Sequence, residues 1–131
     1  MLNAQNFISG LLAFLVFSMP AVNSSAQTVT SNKQYIYVLH LAARLHDPKA
    51  WTERDNAAVE EHFKRLQEAV AQGKVILAGR TKEPLNVTFG VVIFEAPDDE
   101  AAQQFMQTDP TVVSGVMSAT LHPYSVALMR K

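Results

Sequence analysis

The chain has 131 residues, of which 48% are hydrophobic and 18% are charged, and it contains no cysteine. Eleven basic residues against twelve acidic ones leave a net charge of -1, so we expect no basic surface for nucleic acid or for an anionic membrane. The lack of cysteine excludes a disulfide framework, a thiolate metal site and a cysteine nucleophile, and the hydrophobic content is too high for a disordered chain.

The first 26 residues form a separate hydrophobic segment, in which sixteen residues are apolar and none is charged. The apolar run at residues 7–19 is shorter than the roughly 20 residues that a membrane-spanning helix needs, and the small residues Ser24 and Ala26 follow it. This pattern predicts a signal peptide over residues 1–26, cleaved after Ala26, in a secreted or periplasmic protein without a stable membrane span. An uncleaved leader that anchors the chain in a membrane is the alternative. Residues 27–33 would be a polar lead into a domain at 34–131.

Residues 34–44 predict the first strand, because they are rich in β-branched and aromatic side chains. Both faces of this strand are apolar, which indicates cover on both sides. Tyr35, Tyr37, Leu39 and Leu41 lie on one face, and Ile36 and Val38 lie on the other.

A helix is predicted after a loop at residues 45–51. Thr52 is a suitable N-cap with Asp55 as its capping-box partner, and Gly73 ends the helix. The predicted apolar stripe, at helical spacing, consists of Val59, Phe63, Leu66 and Val70.

The second half of the domain predicts two further strands at residues 74–80 and 87–95, joined as a hairpin, then a helix from the acidic segment 97–100 to about residue 108. Asp109 and Pro110 interrupt this helix, and residues 116–130 form a last strand. The order βαββαβ predicts an α+β, ferredoxin-like fold, with both helices on one sheet face. The other face would then be open and apolar, which predicts a homodimer through that face.

The sequence resembles the YCII-related (YciI-like) family, which belongs to the dimeric α+β barrel (dimeric α/β barrel) superfamily. The residues that carry the resemblance lie in the segment EEHFKRLQEAVAQGKVILAGR around His62, in Gly90 and the residues after it, and in APDDEAAQQFMQTDP with Asp109. The resemblance implies that His62 and Asp109 form an acid/base dyad. The family often has proline and phenylalanine where this chain has Arg80 and Thr111, so the substrate preference does not carry over.

Read without the resemblance, His62 lies at the edge of the predicted stripe, about 60° from its centre at roughly 100° per residue. A histidine there can transfer a proton near neutral pH, and a boundary histidine without function is the alternative. Asp109 before Pro110 is also a favoured N-cap for the following turn, which is compatible with a contact to His62.

Three further residues are candidates for substrate binding. His40 would either line a cavity or pack against its neighbours. Arg80, at a strand end, would hold an anionic substrate or be solvated. Tyr37 would line an apolar pocket, or else pack in the core or the dimer interface.

Motifs for nucleotide binding, for a serine nucleophile and for zinc binding by HExxH are absent from the sequence, and no cofactor or metal is predicted. The leading hypothesis is a cofactor-independent enzyme that uses His62 and Asp109 for proton transfer on a small organic molecule, in an elimination or isomerisation. The alternative is a non-catalytic ligand-binding or assembly module on the same fold. No sequence feature selects a third possibility, an oxygenase-like member of the wider superfamily.

Overall fold

The computed structural model of the protein describes residues 31–131. The predicted signal peptide and most of the polar lead lie outside these residues. The described elements follow in chain order: strand β1 (Lys33–Leu41), two 3₁₀ turns (Ala43–His46 and Pro48–Ala50), helix α1 (Glu53–Ala71), strands β2 (Val75–Arg80) and β3 (Phe89–Ala96), helix α2 (Asp99–Gln107), the short helix α3 (Pro110–Val113) and strand β4 (Met117–Tyr124).

The four strands form one antiparallel sheet in the order β2-β3-β1-β4. β1 and β3 are therefore the central strands, and the predicted hairpin of β2 and β3 is confirmed. The result is an α+β fold whose strand order is compatible with a ferredoxin-like βαββαβ unit. No helix in the described part of the chain is long and apolar enough to cross a membrane.

Three strand boundaries differ from the predicted ones, and at two of them local hydrogen bonds replace the strand pairing. β1 ends at Leu41, since Ala43–His46 forms a 3₁₀ turn in which the Leu45 amide donates to the Ala42 carbonyl. β3 begins at Phe89, because the amides of Val87 and Thr88 both donate to the Pro84 carbonyl. β4 ends at Tyr124, where its pairing with β1 also ends.

Both faces of β1 carry apolar side chains, as predicted. Tyr35, Tyr37 and Leu39 are buried in the main core under the helices. Ile36 and Val38 point away from the helices and lie opposite Ile93 and Val91 of β3, only partly buried. The sheet face without helices is therefore apolar along its two central strands.

Both predicted ends of α1 are confirmed. Thr52 and Asp55 form a reciprocal capping box, and Gly73 has a φ of +74°, the left-handed conformation that commonly follows a helix.

The predicted apolar stripe of α1 is only partly correct. Leu66 is buried and Val59 is half-buried, but Phe63 is 62% and Val70 is 51% exposed. The buried apolar positions are Ala58, Leu66 and Ala69, so the inward face is rotated from the predicted one by less than the roughly 100° between neighbouring residues of a helix. His62, four residues after Ala58 and four before Leu66, therefore lies near the middle of the inward face and not at its edge.

Candidate functional site

The inward face of α1 brings His62 against Asp109, 47 residues further along the chain. His62 Nδ1 lies 2.7 Å from Oδ2 and 2.8 Å from Oδ1 of Asp109. The His62 side chain is 13% exposed and the Asp109 side chain is fully buried. The two residues that the sequence singled out for proton transfer are thus in direct contact.

Asp109 is positioned by its place at the start of α3. It is the N-cap of this helix, and Oδ1 accepts hydrogen bonds from the Thr111 amide at 3.0 Å and from the Thr111 hydroxyl at 2.7 Å. Pro110 occupies the first helical position, where its missing N–H costs no hydrogen bond. The same carboxylate therefore caps a helix and contacts His62.

The carboxyl group of Asp109 stays ionised in spite of its burial. Burial by itself raises the pKa of Asp109, but the hydrogen bonds from His62, Thr111 and Tyr37 and the charge of His62 outweigh it, so the pKa is lowered overall. An ionised carboxylate can only accept hydrogen bonds. The network therefore places a proton on Nδ1 of His62, so the lone pair lies on Nε2 whenever the ring is neutral.

Tyr37 reaches the same carboxylate from the sheet. Its buried hydroxyl donates to Oδ2 of Asp109 at 2.8 Å, and burial, together with the nearby charge of Asp109, raises the pKa of Tyr37. Its ring packs against Phe94 and Phe105. Tyr37 does not line the cavity described below, so the structure places it behind the contact of His62 and Asp109.

Arg65 is a neighbour of this network that the sequence reasoning missed. Its Nη1 lies 3.9 Å from Oδ2 of Asp109, and its Nη2 donates to the Phe105 carbonyl at 2.9 Å and to the Thr108 hydroxyl at 2.8 Å. Nη1 is buried and has no hydrogen-bond partner among residues 31–131. The sequence did contain an indication of this neighbour, because residues three positions apart on a helix, such as His62 and Arg65, lie on the same side of it.

A cavity of about 450 Å³ lies between α1 and the sheet, and His62 is part of its wall. The volume is in the range of small-molecule sites. Most of the lining is apolar and includes Leu39, Leu41, Trp51, Val59, Phe63 and Met117. Arg80, at the end of β2, also lines it, so the structure brings Arg80 and His62 to one cavity.

His40 lies on the other side of the sheet. Neighbouring residues of a strand point to opposite faces, and Leu39 takes the position that faces the cavity. The exposed His40 ring instead lies 6.0 Å from the ring of Phe89, its cross-strand partner. The structure therefore does not bring His40 together with His62.

Within residues 31–131, no group of three or more histidine, aspartate or glutamate side chains converges in a way that could hold a metal ion. At the cavity wall, the side chains in contact are the imidazole of His62 and the carboxylate of Asp109 behind it.

No curated protein matches the sequence closely enough to count as a relative. One similar solved structure is 5-chloro-2-hydroxyhydroquinone dehydrochlorinase (TftG) from Burkholderia phenoliruptrix AC1100 in complex with 2,5-dihydroxybenzoquinone, with a TM-score of 0.48 and 12% identity over 70% of this chain and 93% of that chain. The model of the YCII-related domain matches residues 38–121, which span β1 to β4 and include both His62 and Asp109. The chain belongs to the YCII-related domain family.

Proposed function

We propose that the protein is a cofactor-independent enzyme that transfers a proton on a small organic molecule bound between α1 and the sheet. The observation that carries the proposal is the contact of 2.7 Å between His62 Nδ1 and the buried Asp109 carboxylate, at the wall of an apolar cavity. A carboxylate on one ring nitrogen orients the imidazole and favours its protonated form once a proton arrives.

The reaction begins with the neutral His62 ring. Nε2 takes a proton from a carbon next to a carbonyl or similar group of the substrate, and the electron pair of the broken C–H bond stays on the substrate as an enolate. In an elimination this pair then expels a leaving group as its anion from the neighbouring carbon, and the imidazolium passes its proton to that anion or to solvent. In an isomerisation the imidazolium returns the proton to a different carbon. Either course is balanced without an external oxidant or reductant.

The surroundings of His62 support both the base and the acid role. The largely apolar lining leaves few polar groups around His62, which strengthens the electrostatic interactions inside the site. Asp109 remains ionised behind the ring because Thr111 and Tyr37 also donate to it. The imidazolium formed by proton transfer is therefore held next to a fixed negative charge.

Hydrogen exchange with solvent tests the proton transfer without knowledge of the product. The protein is incubated in D₂O with a panel of small ketones, hydroxy acids and chlorinated enols, and deuterium incorporation is followed by NMR and mass spectrometry. We expect exchange on at least one compound, and His62→Gln should slow it by about 10²-fold or more. The matched control is His46→Gln, because His46 is absent from the cavity lining.

If no compound in the panel exchanges, or if His62→Gln exchanges as fast as the unchanged protein, the enzymatic proposal fails. Compounds that bind in the cavity without exchange would then favour the non-catalytic ligand-binding module.

We also propose that two copies of the chain pair through the sheet face that carries no helices. Leu77 and Phe89 on this face are 52% and 37% exposed, next to the partly buried Ile36, Val38, Val91 and Ile93. Covering such a contiguous apolar area removes it from water, at roughly 25 cal/mol for each Å². A second copy presents the same surface, so the contact can be symmetric.

Export with cleavage after Ala26 is proposed from the sequence alone. The full chain is expressed in a bacterium, and the intact mass of the recovered protein is measured in the periplasmic and membrane fractions. A periplasmic form that begins at Gln27 supports export and cleavage. A membrane-bound form that retains the leader supports the anchored alternative.

A further inference from the structure

Arg80 is a cation at the edge of the cavity, and within residues 31–131 no carboxylate contacts it. It is the last residue of β2 and lies exposed on the cavity lining. Among residues 31–131, no carboxylate forms a salt bridge with its guanidinium and no hydrogen bond engages its side chain. By contrast, Arg44 forms two hydrogen bonds with the Asp55 carboxylate. The guanidinium of Arg80 is therefore available to a ligand.

The backbone around Arg80 leaves space on the side of the sheet that faces α1. Arg80 pairs with Gly90 across β2 and β3, two residues from the pair of Ala78 and the buried Val92, so Arg80 and Gly90 share the face of Val92. A Cβ atom at Gly90 would lie 3.6 Å from Leu39, which is ordinary contact. Any longer side chain at position 90 would extend into the cavity.

Among residues 31–131, Arg80 is the one side chain on the cavity wall that carries a permanent charge. His62 is the other ionisable side chain there, and no aspartate or glutamate from the described part of the chain lines the cavity. Asp109 lies behind His62 and is fully buried. An anionic ligand is therefore attracted to this cavity, whereas a cationic ligand meets no counter-charge on its lining.

We propose that the cavity binds a small organic carboxylate on an apolar ring or chain, with the carboxylate on Arg80 and the apolar part over Gly90 and Leu39. The planar guanidinium matches a carboxylate with two parallel hydrogen bonds, and the aromatic side chains Trp51 and Phe63 offer contacts to the apolar part. This substrate class deepens the proposed function and rests on it for turnover, while the binding itself is measurable without turnover.

Paired ligands test the role of the charge. The protein is titrated with small aromatic and aliphatic carboxylates and with their carboxamides, and the dissociation constants are measured by calorimetry at low salt. We expect the best carboxylate to bind about three- to tenfold more tightly than its amide, since a contact at an exposed guanidinium is partly screened by water. The preference should decrease as the ionic strength rises.

Substitutions then locate the effect. Arg80→Met should reduce the preference to within about twofold, and Arg80→Lys should keep part of it because it retains the charge but not the planar fork. Arg54→Met is the matched control, because it removes the same charge from an exposed residue outside the cavity lining. Gly90→Leu should weaken both ligands of each pair, whereas Gly90→Ala should not.

The anion proposal and the proton-transfer proposal fail in different ways. Equal affinity of carboxylates and amides for the unchanged protein would overturn the anion proposal, and so would an equal loss of preference in Arg54→Met and Arg80→Met. His62→Gln should keep the preference for carboxylates. If the protein prefers carboxylates over amides through Arg80 but catalyses no deuterium exchange, the anion proposal is supported and the enzymatic proposal is contradicted.

Discussion

The hydroxyl of Tyr37 donates a hydrogen bond of 2.8 Å to Oδ2 of Asp109, the same oxygen that lies 2.7 Å from His62 Nδ1. A central strand and a helix thus converge on one carboxylate at the beginning of α3. Because the second carboxylate oxygen is held by Thr111, the position and orientation of Asp109 are determined from both sides.

Replacing Tyr37 by phenylalanine removes one donor to a buried charge without changing the size of the ring. We expect Tyr37→Phe to lower the free energy of unfolding by about 2 kcal/mol, in the range of a hydrogen bond to a charged group, and to slow deuterium exchange. Tyr124→Phe is the control, since Tyr124 is 42% exposed. Urea unfolding measures the difference, and equal stability of the two variants would show that the hydroxyl contact contributes nothing.

Asp109→Asn separates the charge of Asp109 from its role as a helix cap. Asparagine is also a good N-cap, so α3 should persist, but the amide no longer holds His62 by a charged hydrogen bond. We expect the deuterium exchange rate to fall by about 10²-fold or more, with circular dichroism unchanged. An exchange rate equal to that of the unchanged protein would show that the carboxylate plays no part in proton transfer.

The stability that Asp109 contributes should depend on acid pH. The pKa of Asp109 is lower in the folded chain than its ordinary value of 3.8, so the unfolded state binds the proton first as the pH falls. The contribution is therefore complete above the unfolded pKa and is lost as the pH falls through the folded pKa. We expect the gap in unfolding free energy between the unchanged protein and Asp109→Asn to be largest near pH 7 and to narrow below about pH 4. A gap that is the same at both pH values would contradict this origin.

Pairing through the open sheet face predicts a dimer in solution that a single charge can disrupt. We expect light scattering to give twice the mass of the chain for the unchanged protein and the mass of one chain for Val38→Lys, because an unpaired lysine in an apolar contact loses its hydration. Val113→Lys is the matched control, since Val113 is 71% exposed on α3. A monomeric mass for the unchanged protein would remove the proposed interface.

Hydrophobic alternation, capping residues and a helix-ending glycine were enough to predict the local elements. Each of these features depends on residues that are close together in the sequence, so a short segment is enough to predict it. The examples are the two apolar faces of β1, the capping box of Thr52 and Asp55, and the end of α1 at Gly73. The pairing of β2 with β3 follows from the short connection between them.

The contact between His62 and Asp109 came from family resemblance, because it joins residues 47 positions apart. Local periodicity carries no information on such a pair. The alternation along β1 did place Tyr37 on the face of Tyr35 and Leu39, but it gave no indication that its hydroxyl would meet Asp109.

The sequence by itself determined the order of the four strands and the two longer helices and showed that both faces of β1 are apolar, because capping and periodicity are properties of short segments. Only the tertiary structure decided which side of α1 is buried. Ala58 and Ala69 are buried while the larger Phe63 and Val70 remain exposed, since small side chains allow a helix to approach its neighbours closely. That rotation turned His62 inward, onto Asp109 and toward the same cavity as Arg80.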